Sequence, residues 1–251
     1  MLSEFIASIS VFPMLIYVLR KSYLFGVFAW LLFSSACLIK ALEFLQGGDY
    51  VNFCIFGMGS LLFVMMARAI VSRNSETFIE VTAFSALACI AYFPFVFIPS
   101  FNSAIIEVTV SLSASLGKML GYPMVAQGRV IELNGSTIEI ILACTAIESM
   151  ALFTGATMGI KADKRRKLKA FLISVPVIYF LNLFRNVFVA VSFAYSIFGE
   201  ESFYIAHHII AKAFSFLALV AVAYAVFRIL PELSELIYSL REEIIRGVKG
   251  D

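Results

Sequence analysis

Apolar and polar positions along this chain fall into long blocks. Near-continuous apolar runs cover about residues 5–19, 23–45, 51–71 and 78–99, and then 140–160, 170–196 and 203–228. A helix needs roughly 20 apolar residues to cross a bilayer, and most of these runs reach that length. Polar punctuation closes them: Arg20-Lys21 after the first, Gln46-Gly47-Gly48-Asp49 after the second, and Asn74-Ser75-Glu76 after the third. The pattern predicts an all-α polytopic membrane protein with about seven transmembrane helices.

Between residues 100 and 139 the pattern changes. Ile105, Val108, Leu112, Leu116 and Met119 recur at helical spacing, with Glu107, Ser111, Ser115 and Lys118 between them. That is an amphipathic helix suited to the membrane interface. From 128 to 140, Ile131/Leu133 and Ile138/Ile140 alternate on either side of Asn134-Gly135. Asn-Gly in that setting signals a tight β-hairpin, because both turn positions need positive φ. An extracytoplasmic insertion at about 100–139, carrying the helix and the hairpin, is therefore expected between spans four and five. Pro231 opens a charged amphipathic tail over 231–251, expected in the cytoplasm. No internal repeat interrupts this, and 1–251 reads as a single integral membrane domain.

Composition supports the membrane class. The chain is 61% hydrophobic and only 14% charged, where a soluble domain carries about a quarter charged residues. A net charge of +2 is too small to suggest a nucleic-acid partner, and the basic residues lie in short loops. The densest cluster lies at 161–169, which the positive-inside rule places in the cytoplasm. Counting spans from there puts the N-terminus, 47–49, 100–139 and Glu200-Glu201 outside. Of the four cysteines, Cys37, Cys54 and Cys89 lie within apolar runs and read as small hydrophobes. Neither a disulfide framework nor a cleavable leader is expected.

Candidate chemistry concentrates in Ala143-Cys144-Thr145-Ala146-Ile147-Glu148-Ser149-Met150, which sets a thiol, a carboxylate and two hydroxyls at the start of the fifth apolar run. Two later places could join it: Arg185 in Asn182-Leu183-Phe184-Arg185-Asn186, and the pair His207-His208. By depth, all three fall in the outer third of the membrane. Each also has a plain reading. Cys144 could be packing, and a histidine near the interface could be a satisfied polar residue. An arginine within a span is expensive and marks function by default, the rival being a structural pair with Glu148 or Glu139. On a continuous helix Glu148 would share a face with Cys144, four residues away.

In this order on successive spans, Ala-Cys-Thr-Ala-Ile-Glu-Ser-Met, Asn-Leu-Phe-Arg-Asn and Ala-His-His-Ile-Ile-Ala-Lys resemble the archaeosortase/exosortase family. The resemblance covers about 100–228 in detail and the first four spans in character. It implies a membrane-embedded cysteine transpeptidase that cleaves a C-terminal sorting signal (a motif, a membrane helix and a basic tail) of secreted surface proteins. It further implies Cys144 as nucleophile, Arg185 as the family's arginine and His207 as the third member. His208, Glu148, Ser149, Asn182 and Asn186 would support the site or bind substrate. Glu148 departs from the glutamine expected there. The partners implied are the sorting-signal region, the bilayer and a lipid amine acceptor, in a multi-pass protein of the cell membrane, archaeal in character. No cofactor is implied. A metal site is not expected, since two histidines and a thiol on separate helices lack ligand spacing. The alternative is a transporter using Arg185, Glu148 and Lys212 along a pathway, or a scaffolding membrane protein. A transporter often shows repeated halves, which are absent here.

Overall fold

The structure is a computed structural model that describes residues 2–249. Among the described residues ten α-helices and a small sheet follow one another. They are α1 (Leu2–Arg20), α2 (Tyr23–Gln46), α3 (Tyr50–Ser72), α4 (Glu76–Phe97), α5 (Pro99–Met119), β1 (Val125–Gln127), β2 (Val130–Leu133), β3 (Ser136–Glu139), α6 (Ile147–Met158), α7 (Lys164–Ala194), α8 (Ser202–Tyr204), α9 (Ala211–Ile229) and α10 (Pro231–Lys249). Among the described residues six helical stretches are long and apolar enough to cross a membrane: α1 to α4, α7, and the stretch Gly199–Ile229 that contains α8 and α9. Large apolar side chains such as Phe12, Leu19, Leu61 and Phe216 stand exposed on them. Lipid, not water, suits such surfaces.

The chain forms two compact units. The first comprises residues up to Ile90, Met158–Asp163 and the segment from Leu230 onward. Its helices are tied by hydrogen bonds that replace those water would supply. Ser34 of α2 and Ser60 of α3 each donate to the other's carbonyl, at 2.8 and 3.0 Å. The Trp30 indole donates to Thr82 Oγ1 at 3.0 Å and the Tyr17 hydroxyl to Asn74 at 2.7 Å. Bonds of this kind between membrane helices are worth about 0.6–2 kcal/mol each. Glu76 joins Lys21 and Lys161, the latter at 2.6 Å, and Lys161 also reaches Glu80 at 3.5 Å. Hydrogen bonding to Glu76 holds the Lys161 ammonium above its usual range. The tail is the expected amphipathic helix. α10 buries Leu233, Leu236 and Ile244 and sets Gly247 so close to Ala69 that a Cβ there would lie 2.7 Å from its Cα.

The second unit comprises Ala91–Thr157 and Lys164–Ile229. The predicted hairpin is present, with Asn134 at φ 50 and Gly135 at φ 76 joining β2 to β3, and Ile131 opposite Ile138. Two positive-φ residues match the right-handed twist of the strands. The sequence reading did not anticipate β1, which pairs antiparallel with β2 across Gly128-Arg129. Its three residues are exposed and carry too short a pattern to be read as a strand. The Asn134 side chain reaches past its own turn and donates to the Ala194 carbonyl at the end of α7 (3.1 Å).

α5 packs by a different face from the one its apolar stripe suggests. Its buried residues are Ile106, Thr109, Val110, Ser113, Ala114 and Gly117, whereas Val108, Leu112 and Met119 are exposed. Small side chains bring α5 close to its neighbours; at Gly117 a Cβ would fall 2.2 Å from Met124 Sδ. Ile105 and Leu116 of the stripe pack partly against the core, and Val108, Leu112 and Met119 are left outward, which an interfacial helix offers to lipid.

The fifth expected span, 140–160, differs most. It forms a 3₁₀ turn, Leu142–Cys144, and then the 12-residue α6. At 1.5 Å per residue α6 is about 18 Å long, short of a bilayer's core of about 30 Å. Ala146, at φ 58, is the break between turn and helix. The Cys144–Glu148 relationship expected of a continuous helix is therefore absent, and Glu148 approaches the Tyr92 hydroxyl of α4 at 3.5 Å.

Candidate active site

The site begins with that break. A non-glycine residue in the left-handed region costs about 1–2 kcal/mol, and Ala146 adopts it where the chain leaves the 3₁₀ turn. The turn is closed by Thr145, whose backbone N–H and side-chain hydroxyl both reach the Leu142 carbonyl, at 3.0 and 2.7 Å. Among the described residues no backbone N–H donates to the Cys144 carbonyl. Its donors come instead from α7: Asn182 Nδ2 at 2.7 Å and Asn186 Nδ2 at 3.1 Å. Both asparagines are buried. An unmet buried carbonyl would cost about 1–3 kcal/mol, so the pair offsets most of what the break exposes.

Arg185 lies between the two asparagines in sequence and, at 100° per residue, on a neighbouring face of α7. Its Nη2 stands 3.4 Å from His207 Nε2. The guanidinium can only donate, so Nε2 accepts and a neutral His207 carries its proton on Nδ1. That Nδ1 is buried and, among the described residues, has no hydrogen-bond partner. The His207 ring stacks on Phe203 at 5.2 Å and 7°. Phe203 is not among the residues that the sequence singles out; its spacing of four residues from His207 is the signal that points to it. His207 and His208 sit in a π-helical stretch, Ile205–Ile210, that widens the turn between α8 and α9. His208 faces Tyr204, at 5.3 Å, and the edge of His207 at 4.7 Å. Single π-turns of this kind are frequent at functional sites.

The expected alternative pairing of Arg185 with Glu148 or Glu139 is not found: among the described residues Arg185 has no carboxylate partner. A cavity of about 370 Å³ opens beside it, lined by Ala143, Ala146 and Ser149 on one side and by Asn182, Arg185 and Lys212 on another. That volume fits a small ligand or a short stretch of peptide. Arg185 and Lys212 are its charged lining residues, and no carboxylate lines it. Cys144 itself does not line this cavity. Half-buried, it packs against the apolar cluster of Ile106, Val110, Ile131 and Val187, while its neighbours Ala143 and Ala146 face the opening. Thus Ser149, Asn182 and Arg185 share one cavity, Cys144 is bonded to α7 through its carbonyl, His207 meets Arg185, and His208 and Glu148 stand apart from the cavity wall.

Comparison with known proteins gives the lineage. Residues 5–225 match the family described as transmembrane exosortase. The archaeosortase A of Haloferax volcanii is 32% identical over 198 residues, covering 64% of this chain and 64% of that protein. The archaeosortase A of Natronomonas pharaonis is 31% identical over 121 residues, covering 41% of this chain and 38% of that protein. The chain therefore matches just under two thirds of the length of the first relative and well under half of the second. No solved structure matches it. With a family match running over most of its length and through every candidate residue, this multi-pass membrane protein belongs to the transmembrane exosortase family.

Proposed function

We propose that this protein is a membrane-embedded cysteine transpeptidase that acts on the C-terminal sorting signal of secreted surface proteins. The observation that carries this reading is the convergence on α7 of the Cys144 turn, held through its carbonyl, and of Arg185, held against His207. In the reaction, Cys144 Sγ attacks the scissile peptide carbonyl, the peptide C–N bond breaks and a thioester forms. The released amine takes a proton. An incoming amine then attacks the thioester carbonyl, the C–S bond breaks and Sγ recovers a proton. Water in place of the amine gives hydrolysis.

Arg185 is suited to the oxyanion of each tetrahedral intermediate. It stays charged, and its planar fork presents paired donors in a poorly screened site. His207 is the group to carry the protons, with Arg185 releasing Nε2 as substrate enters. The thiol must also turn from the apolar cluster toward the cavity that Ala143 and Ala146 line. The acceptor is a lipid amine at the cell surface, and the cell archaeal. The orientation follows the basic loops, with 161–169 inside and the sheet and cavity toward the outside. A transporter reading gains nothing from the structure, since Glu148 does not join Arg185 and Lys212 in the cavity.

The test is processing of a co-expressed reporter that ends in an apolar helix and a basic run. Cys144→Ala and Cys144→Ser should both abolish it while the protein still inserts, because a hydroxyl is far less ionised than a thiol at neutral pH. Wild-type enzyme should yield a hydroxylamine-sensitive adduct on Cys144. Processing by Cys144→Ala, with loss in a Cys37/Cys54/Cys89 triple variant, would overturn the reading.

A further inference from the structure

We infer that Asn182 and Asn186 are positioning residues of this reaction, a two-point clamp that fixes the thiol-bearing turn on the helix that presents Arg185. The inference rests on the nucleophile assignment above and adds to it the device that sets the turn's register.

The geometry is specific. A carbonyl oxygen has two lone pairs and can accept twice, and the Cys144 carbonyl accepts from two amides, at 2.7 and 3.1 Å. The two donors are four residues apart, so they project from one face of α7, about 40° from each other around its axis. A single bond would leave the turn free to swing about it; two bonds from a rigid helix fix both the height of the turn and its rotation. The need for them is local. Ala146 at φ 58 ends the 3₁₀ turn before α6 begins, and among the described residues no backbone donor reaches this oxygen. Arg185 projects from the same turns of α7. Whatever places the Cys144 backbone against residues 182 and 186 therefore also sets its distance from the guanidinium. A catalytic constellation held by its own supporting hydrogen bonds loses rate steeply when they loosen, since small misplacements are costly. Asn182 also lines the cavity, so the clamp forms part of the wall against which substrate would lie.

A staple that merely stabilises the fold would change how much protein folds, not how fast the folded protein works. The experiment separates these. Asn182→Leu and Asn186→Leu keep the branched four-atom side-chain skeleton and remove the donor; Asn182→Ala and Asn186→Ala, which add no bulk, serve if either fails to accumulate. Each is purified as the full chain and reconstituted in vesicles with the same reporter. The expected result is a fall of at least about tenfold in single-turnover rate for each variant and about a hundredfold for the pair. Reporter retained by the same variants in a Cys144→Ala background should stay within about twofold of the Cys144→Ala parent.

Arg185→Met supplies the second readout. If the clamp acts by registering Cys144 with Arg185, removing the clamp from an Arg185→Met enzyme should cost little more, a strong departure from additivity. Full activity in the double Leu variant beside a dead Cys144→Ala enzyme would overturn the clamp and leave the nucleophile assignment standing. So would losses that simply multiply with that of Arg185→Met, which would make the asparagines independent supports. Processing that survives Cys144→Ala overturns the assignment and the clamp's role together.

Discussion

Arg185 Nη2 lies 3.4 Å from His207 Nε2, and His208, one residue on, turns instead to Tyr204. Two adjacent histidines in a π-helical stretch thereby have different surroundings. Only His207 can exchange a proton at an atom that Arg185 also touches. His207→Ala should lower the processing rate at least about tenfold more than His208→Ala, in keeping with general acid–base contributions of about 10²–10⁴. The check is a time course of reporter processing in matched membranes; equal and mild losses would remove histidine from the mechanism.

Among the described residues Arg185 contacts a ring nitrogen and no carboxylate, which separates two accounts of it. Arg185→Lys should lose most activity, at least about tenfold, because an ammonium cannot reproduce two parallel donors. In a double-mutant cycle with Arg185→Met, adding Glu148→Gln should restore neither protein level nor processing. Glu148 is directed to Tyr92, so removing its charge relieves no buried partner of Arg185. Recovery of processing in the double variant would show that the two charges compensate each other.

Gly117 sits where a Cβ would meet Met124 Sδ at 2.2 Å. Gly117→Ala should destabilise the second unit by about 1–3 kcal/mol, the usual cost of overpacking. Met124→Ala in the same chain should make that added methyl cheaper, so the two effects will not add. Thermal unfolding in detergent reads both, and a Gly117→Ala protein as stable as wild type would contradict the tight α5 packing.

Orientation has its own check. In a cysteine-free chain, Thr137→Cys in the exposed part of β3 should react with a membrane-impermeant maleimide on intact cells, and Lys164→Cys should be spared until the cells are broken. The opposite pattern would put the cavity on the cytoplasmic side.

Much of the architecture was legible because it follows from local rules. Apolar runs near 20 residues become helices whether or not they have neighbours, since lipid leaves the backbone no other way to satisfy its hydrogen bonds. Asn134-Gly135 dictates its turn from two backbone angles. The candidates Cys144, Arg185 and His207 stood out because polar groups in such runs are costly. What the tertiary structure decided are matters of direction and partner. The stretch 140–160 has the composition of a span, yet Ala146 in the left-handed region divides it, a conformation that alanine does not advertise. α5 buries Ile106 and Val110 together with its small residues and leaves Val108, Leu112 and Met119 of the stripe outward, because close approach to α7 and the sheet is possible along the small residues and lipid can take the larger side chains. The contact of Arg185 with His207, and the bonding of the Cys144 carbonyl to Asn182 and Asn186, span 22, 38 and 42 residues of sequence. No periodicity carries such pairings; they exist only once α7 has brought its own face against the turn and the π-helical stretch.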